Sequence, residues 1–481
     1  MNLHRISLAT AGVATAVIAA LLPLPVALLL VGVLLVGTLL MVEPAVMLVF
    51  LLVFAPLRTL LNTESATFAS FDPGQILLAA TLAISGMVSV LQFHRIRLRE
   101  LPHTLIPLLV FLAAISLSII STVSVNGWLR EWLKWIQIML LALLVVVASR
   151  RIPLLYIVAA IVFAGAANAI IGLYQFFGGS GALHLLVNGR FFRAFGTFGQ
   201  PNPFGAYMGI LIPLAASVAL AYLLKVWQAW QRSNIRLTGI LVLAVFYALA
   251  AAIMATGLIA SWSRGAWLGF FASIGIVTLS FPPRLWQSMA LLISGSFAVT
   301  GAWFTGLVPQ SIAVRLGSIT EDVFSLSDVR GVDITSANYA VVERLAHWQA
   351  ALRMAEAEPF TGVGAGNYEI AYNNYRLINW VEPLGHAHNF YLNVLAETGI
   401  IGLVAYLIFW IVTFYFTWQA RRHPDMIRRS IAVGLLGSWT YIAVHSLTDN
   451  LYVNNLFMHI GVLLGLLAVV HRDTFSFFRV E

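Results

Sequence analysis

The sequence predicts an all-α polytopic membrane protein of about 12–14 transmembrane helices, with one long external loop that itself contains helices. Three observations predict it. The 481 residues are 60% apolar and only 10% charged, with a mean hydropathy of +0.90, whereas soluble domains carry about 25% charged residues. Apolar runs near the ~20 residues needed to cross a bilayer recur along most of the chain. The one long break in that pattern, residues 307–388, is polar yet keeps a helical period.

The runs fall near residues 7–23, 24–41, 44–57, 74–92, 102–121, 135–149, 152–177, 203–224, 237–259, 265–283, 285–306, 399–418, 430–448 and 451–470, and none contains Lys, Arg, Asp or Glu. Arg5 precedes the first run, as in a signal peptide. The second run follows at once, however, and no small-residue cleavage site is evident, so the first is read as a membrane helix. The run at 44–57 is short enough to be partly interfacial. The chain divides into N-terminal transmembrane helices (1–306), the long external loop (307–388) and C-terminal transmembrane helices (389–481). Within the loop, residues 341–358 read as a helix with Leu345, Trp348, Leu352 and Ala355 on one face and Pro359 ending it. A glycine-rich turn at 361–367 follows. No strand precedes its Gly362-x-Gly364-x-Gly366, so it is not a nucleotide fingerprint.

Charge sets the orientation. With the N-terminus inside, alternate connections collect Arg95, Arg97, Arg99, Arg150, Arg151, Lys225, Arg232, Arg236, Arg284, Arg421, Arg422, Arg428 and Arg429, and the long loop does not count towards the rule. Both termini are therefore expected in the cytoplasm and the loop outside, in a multi-pass plasma (inner) membrane protein. The net charge of +8 is then a topology signal; membrane lipids are expected as partners and nucleic acid is not. The absence of cysteine excludes disulfides, thiolate metal sites and a Cys nucleophile.

Chemistry is expected where the loop rejoins the membrane. Residues 386–402 read His-Ala-His-Asn-Phe-Tyr-Leu-Asn-Val-Leu-Ala-Glu-Thr-Gly-Ile-Ile-Gly. Helical spacing from about 389 puts His388, Leu392, Leu395, Gly399 and Gly402 on one face, where the glycines allow close helix contact. The positive end of a helix disfavours imidazolium, leaving His388 neutral as a general base must be. Asn389 and His386 are supporting candidates. Four arginines are expected on the same side: Arg190 and Arg193 before the run at 203–224, Arg264 at the turn between two helices, and Arg344 on the loop helix. A guanidinium fork matches two phosphate oxygens and cannot lose its charge, so these residues suit a diphosphate. The alternatives are snorkelling to headgroups or pairing with loop carboxylates, and Asp449 after the run at 430–448 either orients an Arg or His or is a polar loop residue. His386 and His388 with Glu382 make only a sparse metal set; neither metal nor cofactor is expected.

The tract resembles the signature of the O-antigen ligase and O-antigen polymerase (Wzy-like) superfamily: His388-Asn389, nine residues (390–398), then Gly399-Ile-Ile-Gly402. Residues 193–202 (Arg-Ala-Phe-Gly-Thr-Phe-Gly-Gln-Pro-Asn), 263–267 (Ser-Arg-Gly-Ala-Trp) and 343–364 around Glu343-Arg344 and Pro359 are similar to the same family, and the likeness spans roughly 160–470. It implies a GT-C-like fold and a glycosyltransferase that moves a glycan from undecaprenyl diphosphate to a glycolipid or glycan acceptor, by inversion and without metal, at the periplasmic face. Ligases use the lipid A core as acceptor, in lipopolysaccharide biosynthesis; polymerases use another repeat unit. The resemblance also implies essential roles for His388, for Arg193, Arg264 and Arg344, and for a late acidic residue matching Asp449. The Gly-x-x-Gly ending and the long loop favour a ligase. A transporter of bicarbonate or of a lipid-linked sugar is the alternative. It is disfavoured because the apolar runs hold no charged residue, where transporters bury them near the midplane. A non-catalytic scaffold leaves the Arg and His clustering without a role.

Overall fold

The computed structural model describes residues 45–57, 72–91, 101–178, 185–187, 189–231, 237–317, 328–335 and 338–478. The predicted helices at 7–23 and 24–41 lie outside these residues, as do Arg5, Arg95, Arg97, Arg99, Arg232 and Arg236. The described helices are α1 (Ala45–Phe54), α2 (Pro73–Leu91), α3 (Ile106–Leu117, between 3-10 turns His103–Leu105 and Ser118–Ser121), α4 (Val125–Ala148), α5 (Leu154–Gly178), α6 (Pro201–Gln231), α7 (Leu237–Ala260), α8 (Arg264–Ser280), α9 (Leu285–Phe304), α10 (Gln310–Gly317), α11 (Tyr339–Ala357), α12 (Tyr368–Tyr375), α13 (Phe390–Ala420), α14 (Met426–His445) and α15 (Leu456–Phe478). One short hairpin, β1 (Leu186–Val187) with β2 (Phe191–Phe192), is antiparallel with Leu186 opposite Phe192.

Among the described residues, eight helices are long and apolar enough to cross a membrane, making the chain an all-α polytopic membrane protein. Three further apolar helices, at Met47–Leu57, Pro73–Ile84 and Arg264–Ser280, are shorter. α14 is not one of the eight, because it takes in Arg428 and Arg429. α6 lies at the centre, buried along most of its length and packed on α7, α14 and α8. α15 packs on α4, and α13 on α3. α9 is the opposite case, with 6% of its span buried inside the protein. Its Trp286, Phe297 and Phe304 are exposed, as suits a helix whose solvent is lipid.

The expectation of charge-free spans is corrected. α4 starts well before its apolar run and carries Arg130, Glu131 and Lys134; α13 carries Glu397. The helices extend because polar caps hold their ends. Ser124 accepts from Gly127 N–H (3.4 Å), Asn389 accepts from the N–H groups of Tyr391 (3.1 Å) and Leu392 (3.2 Å), and Asp425 accepts from Arg428 N–H (2.9 Å). Within α4 the added charges pair: Lys134 Nζ lies 2.6 Å from Glu131 Oε2, and Trp135 Nε1 donates to Glu131 Oε1 at 3.0 Å.

The loop helix α11 forms where predicted, but its buried face differs. Leu352 is exposed, whereas Val342, Leu345, Ala346, His347, Trp348, Ala350, Ala351 and Met354 are buried. The helix is clamped on two sides. Ala350, Ala351 and Met354 meet α12 and Ala396; Val342, Leu345 and Trp348 meet Leu377 and Trp380. A single apolar stripe does not describe a helix packed on both sides.

Candidate catalytic centre

The one-face reading of His388, Gly399 and Gly402 is also corrected. His388 precedes the N-cap Asn389 and has φ +53°, so it lies outside α13. Gly399 breaks that helix, with φ +63° and ψ −167°, a conformation reached essentially by glycine alone. The break is filled by the loop rather than by another helix. Ile400 N–H, which would donate to Ala396 in an unbroken helix, donates to Pro359 C=O at 2.9 Å; Val363 N–H donates to Ala396 C=O at 2.9 Å. A Cβ on Gly399 would strike the backbone of Phe360 and Thr361. The glycine-rich turn then threads into the bundle, with Gly362, Gly364 and Gly366 all at positive φ and pressed on Glu397–Thr398, Thr122 and Gly127 respectively. Gly402 makes room for the Thr398 side chain.

That splice and one contact with α14 place His388. Phe390 N–H donates to Ser446 C=O at 2.8 Å, and Tyr391 Oη donates to Ala443 C=O at 2.8 Å. The start of α13 is thereby fixed to the end of α14, where Asp449 follows. His386 Nε2 lies 3.6 Å and His388 Nδ1 3.8 Å from the same oxygen, Asp449 Oδ1, which also accepts from Asn450 N–H at 2.8 Å. His386 Nδ1 accepts from His388 N–H at 3.0 Å. Its ring proton is therefore on Nε2, facing Asp449. His388 Nδ1 is buried without a hydrogen-bond partner, leaving Nε2 as the nitrogen accessible to the cavity that His388 lines. The two rings are 4.4 Å apart, and His347 from α11 sits 5.8 Å from His388, its Nδ1 3.0 Å from Tyr368 Oη. Asp449, and not Glu382, is the carboxylate beside the histidines.

Burial, then the charges of His388, Lys134 and Arg344 working against that of Asp449, pulls His386 down to about 4. Burial and the two neighbouring histidines pull His347 to about 3. Both rings are neutral near pH 7. Burial opposes ionisation of Asp449, but the nearby His388, His386 and His445 outweigh it and hold the carboxyl well below its usual range. The ligand atoms of His386, His388 and Asp449 lie within 4.8 Å of one another, so a cation fits the spacing. Binding through His386 Nε2 would displace the proton that faces Asp449.

The arginines gather beside this cluster. A segment after β2 carries Arg193, and two polar residues of α5 hold it. Gln175 Oε1 accepts from the N–H groups of Phe195 (3.1 Å) and Gly196 (2.7 Å), and Asn168 Oδ1 accepts from Thr197 N–H (3.2 Å). Arg193 Nε donates to Ser261 C=O at 2.9 Å and Nη2 to Asn202 Oδ1 at 3.2 Å. Arg315 of α10 donates from Nη2 to the next carbonyl, Trp262, at 3.0 Å. Arg264 opens α8 two residues later, with Gly265 seated on His445 and Thr448. One turn, residues 261–264, thus collects three guanidinium-bearing segments. Burial and the charges of Arg315, Arg344 and Arg264, in that order, lower Arg193 to about 10. The other three guanidinium charges thus act on Arg193 as like charges, an effect that an anion among them would offset.

The structure therefore brings together His388, His386 and Asp449, and places Arg193, Arg264 and Arg344 in one electrostatic group. Asn389 acts as the helix cap. Arg190 stands apart, exposed at the hairpin tip with its guanidinium 5.1 Å from the Phe191 ring. Arg315, Glu131, Lys134 and Glu397 escaped the sequence reading. The last three fall just outside apolar runs whose edges were drawn at the charges themselves, and an i, i+3 pairing of Glu131 with Lys134 was the available signal. A cavity of about 610 Å3 opens at this end of the bundle, with Glu131, Lys134, Glu369, His386, His388 and Asp449 among its lining.

The family model for the O-antigen ligase matches residues 249–407, from α7 through the arginine turn, the long loop and His388 to the middle of α13. No curated protein matches the chain.

Proposed function

We propose that the chain, which matches the O-antigen ligase family model over residues 249–407, transfers a glycan from undecaprenyl diphosphate to an acceptor sugar hydroxyl at the outer face of the plasma membrane, with the lipid A core as acceptor. One observation carries this reading: His388, with Asp449 behind it, lines a polar cavity, and Arg193, Arg264, Arg315 and Arg344 form one electrostatic group.

The chemistry needs these parts and few others. The acceptor oxygen attacks the anomeric carbon as His388 Nε2 takes its proton, and Asp449 balances the imidazolium that forms. The anomeric carbon–oxygen bond breaks, and its electron pair leaves on the diphosphate. A diphosphate is stable as an anion, so no general acid is required. The charge that builds on it in the transition state meets Arg193, Arg264, Arg344 and Arg315, which are fixed in advance. A single displacement inverts the anomeric centre. The step uses no metal.

The test is His388→Ala in a host lacking its own enzyme, read on a polysaccharide gel with protein level as control. Loss of a positioned base should cut transfer by about 10²–10⁴, leaving long glycans on the lipid carrier and none on the core. Full transfer by the variant would remove His388 as the base. Single repeats on the core in the deletion strain would make the enzyme a polymerase instead. Transfer by the intact enzyme in a chelator should be undiminished.

A further inference from the structure

The cavity of about 610 Å3 has a feature that diphosphate binding leaves unused: none of Arg193, Arg264, Arg315 and Arg344 lines it. Its wall instead holds four carboxyl groups, those of Glu131, Glu369, Glu397 and Asp449, against one ammonium, Lys134. That ammonium is committed to Glu131 at 2.6 Å. We infer that this cavity is the subsite for the acceptor's terminal sugars, and that it takes an uncharged terminal segment and rejects an acidic one; the inference rests on the transferase reading above.

Two buried polar groups point into the cavity without a partner among the described residues. Asn393 is 4% exposed, and its Oδ1 accepts from Ala387 N–H at 3.1 Å while its Nδ2 makes no hydrogen bond. Asp449 is 7% exposed, and the interactions described above all fall on Oδ1, which leaves Oδ2 open. Both atoms are open to the cavity, where a ligand can complete their hydrogen bonds. Sugar hydroxyls both donate and accept, so they satisfy carboxylate oxygens and an amide N–H₂ together. The carboxylate of a uronate, or an ionised phosphate, can only accept. It would meet Asp449 and Glu369 as a like charge, while Lys134 is already paired with Glu131. The volume lies within the range of small-molecule sites, and His388 on the same wall puts a bound hydroxyl within reach of its Nε2.

The experiment is saturation-transfer NMR on the full chain in lipid nanodiscs. The probes are maltotriose and the same trisaccharide with its terminal glucose oxidised to glucuronate. Glu369→Lys is the decisive variant: Glu369 is exposed on α12, so folding is not at risk, and binding is read without turnover. The unmodified chain should bind maltotriose at least about tenfold more tightly than the acid, and Glu369→Lys should bring the two within about threefold. Glu369→Gln should fall between. The inference is overturned if the acid binds as tightly as maltotriose, if neither binds, or if Glu369→Lys leaves the ratio unchanged. Binding is read without turnover, so its failure leaves the His388 transfer assay standing, and a dead transfer assay leaves the binding ratio readable.

Discussion

At the residue scale, one oxygen organises the centre. Asp449 Oδ1 faces both His386 Nε2 and His388 Nδ1, so on the proposed mechanism its charge would orient both rings and support the imidazolium formed at His388. Asp449→Asn keeps the shape and removes the charge. Turnover should fall at least about tenfold, short of the 10²–10⁴ expected for loss of the base itself, while the donor KM stays put. A variant with unchanged kcat would make Asp449 a loop residue only. The neighbouring histidines set a pH limit on folding. In the unfolded chain they take a proton near 6.5, but in the folded chain only near about 4 for His386 and about 3 for His347. The unfolded state binds more protons in that window, so stability should fall as pH drops through it, by up to about 1.4 kcal/mol per pH unit for each ring. Thermal unfolding in detergent at stepped pH checks this. His386→Gln should flatten the slope, and an equally steep slope in that variant would clear His386 of the effect.

At the element scale, the decisive feature is the splice of the long loop into α13. The backbone groups freed at Gly399 are taken up by Pro359 and Val363, so the membrane helix and the loop are one hydrogen-bonded unit. Gly399→Ala adds a Cβ at φ +63° directly against Phe360 and Thr361. The backbone strain alone is of order 1–3 kcal/mol, and the collision adds to it. Limited proteolysis should cut the loop near residue 360 faster in this variant; an unchanged rate would mean that the splice does not hold the loop. Arg315 tests the other side. Its hydrogen bond to Trp262 brings α10 to the turn that also holds Arg193. Arg315→Gln should raise the donor KM while kcat changes less, and Arg315→Lys should recover only part, because an ammonium lacks the fork. A kcat loss with KM intact would make Arg315 structural.

At the scale of the whole molecule, hydropathy made the helices legible, because lipid demands long apolar segments whatever the fold. Their ends were not, since caps such as Ser124, Asn389 and Asp425 carry helices past the apolar run into charged sequence. His388, Asp449, Arg193 and Arg264 stood out because polar residues are rare at the ends of such runs. Arg315 lacks any flanking signature, and Asn168 and Gln175 are uncharged residues inside the apolar run of α5, which hydropathy does not set apart. The break at Gly399 was invisible because a 3.6-residue period reads straight through it. What no local pattern conveys is that arginines from separate segments, Arg264, Arg315 and Arg344, all act by their charge on Arg193. That assembly makes a last prediction. A dianion joining them should stabilise the whole fold, by RT ln(1 + [L]/Kd) or about 2.7 kcal/mol at a hundredfold excess over Kd. Inorganic pyrophosphate should therefore raise the unfolding midpoint of the full chain, and do so more than sulfate at matched ionic strength, because only a diphosphate spans several guanidinium groups. Arg193→Gln should shrink the shift, with added salt weakening it further. An equal shift with sulfate, or an undiminished one in Arg193→Gln, would mean that the arginines answer to ionic strength rather than to a diphosphate.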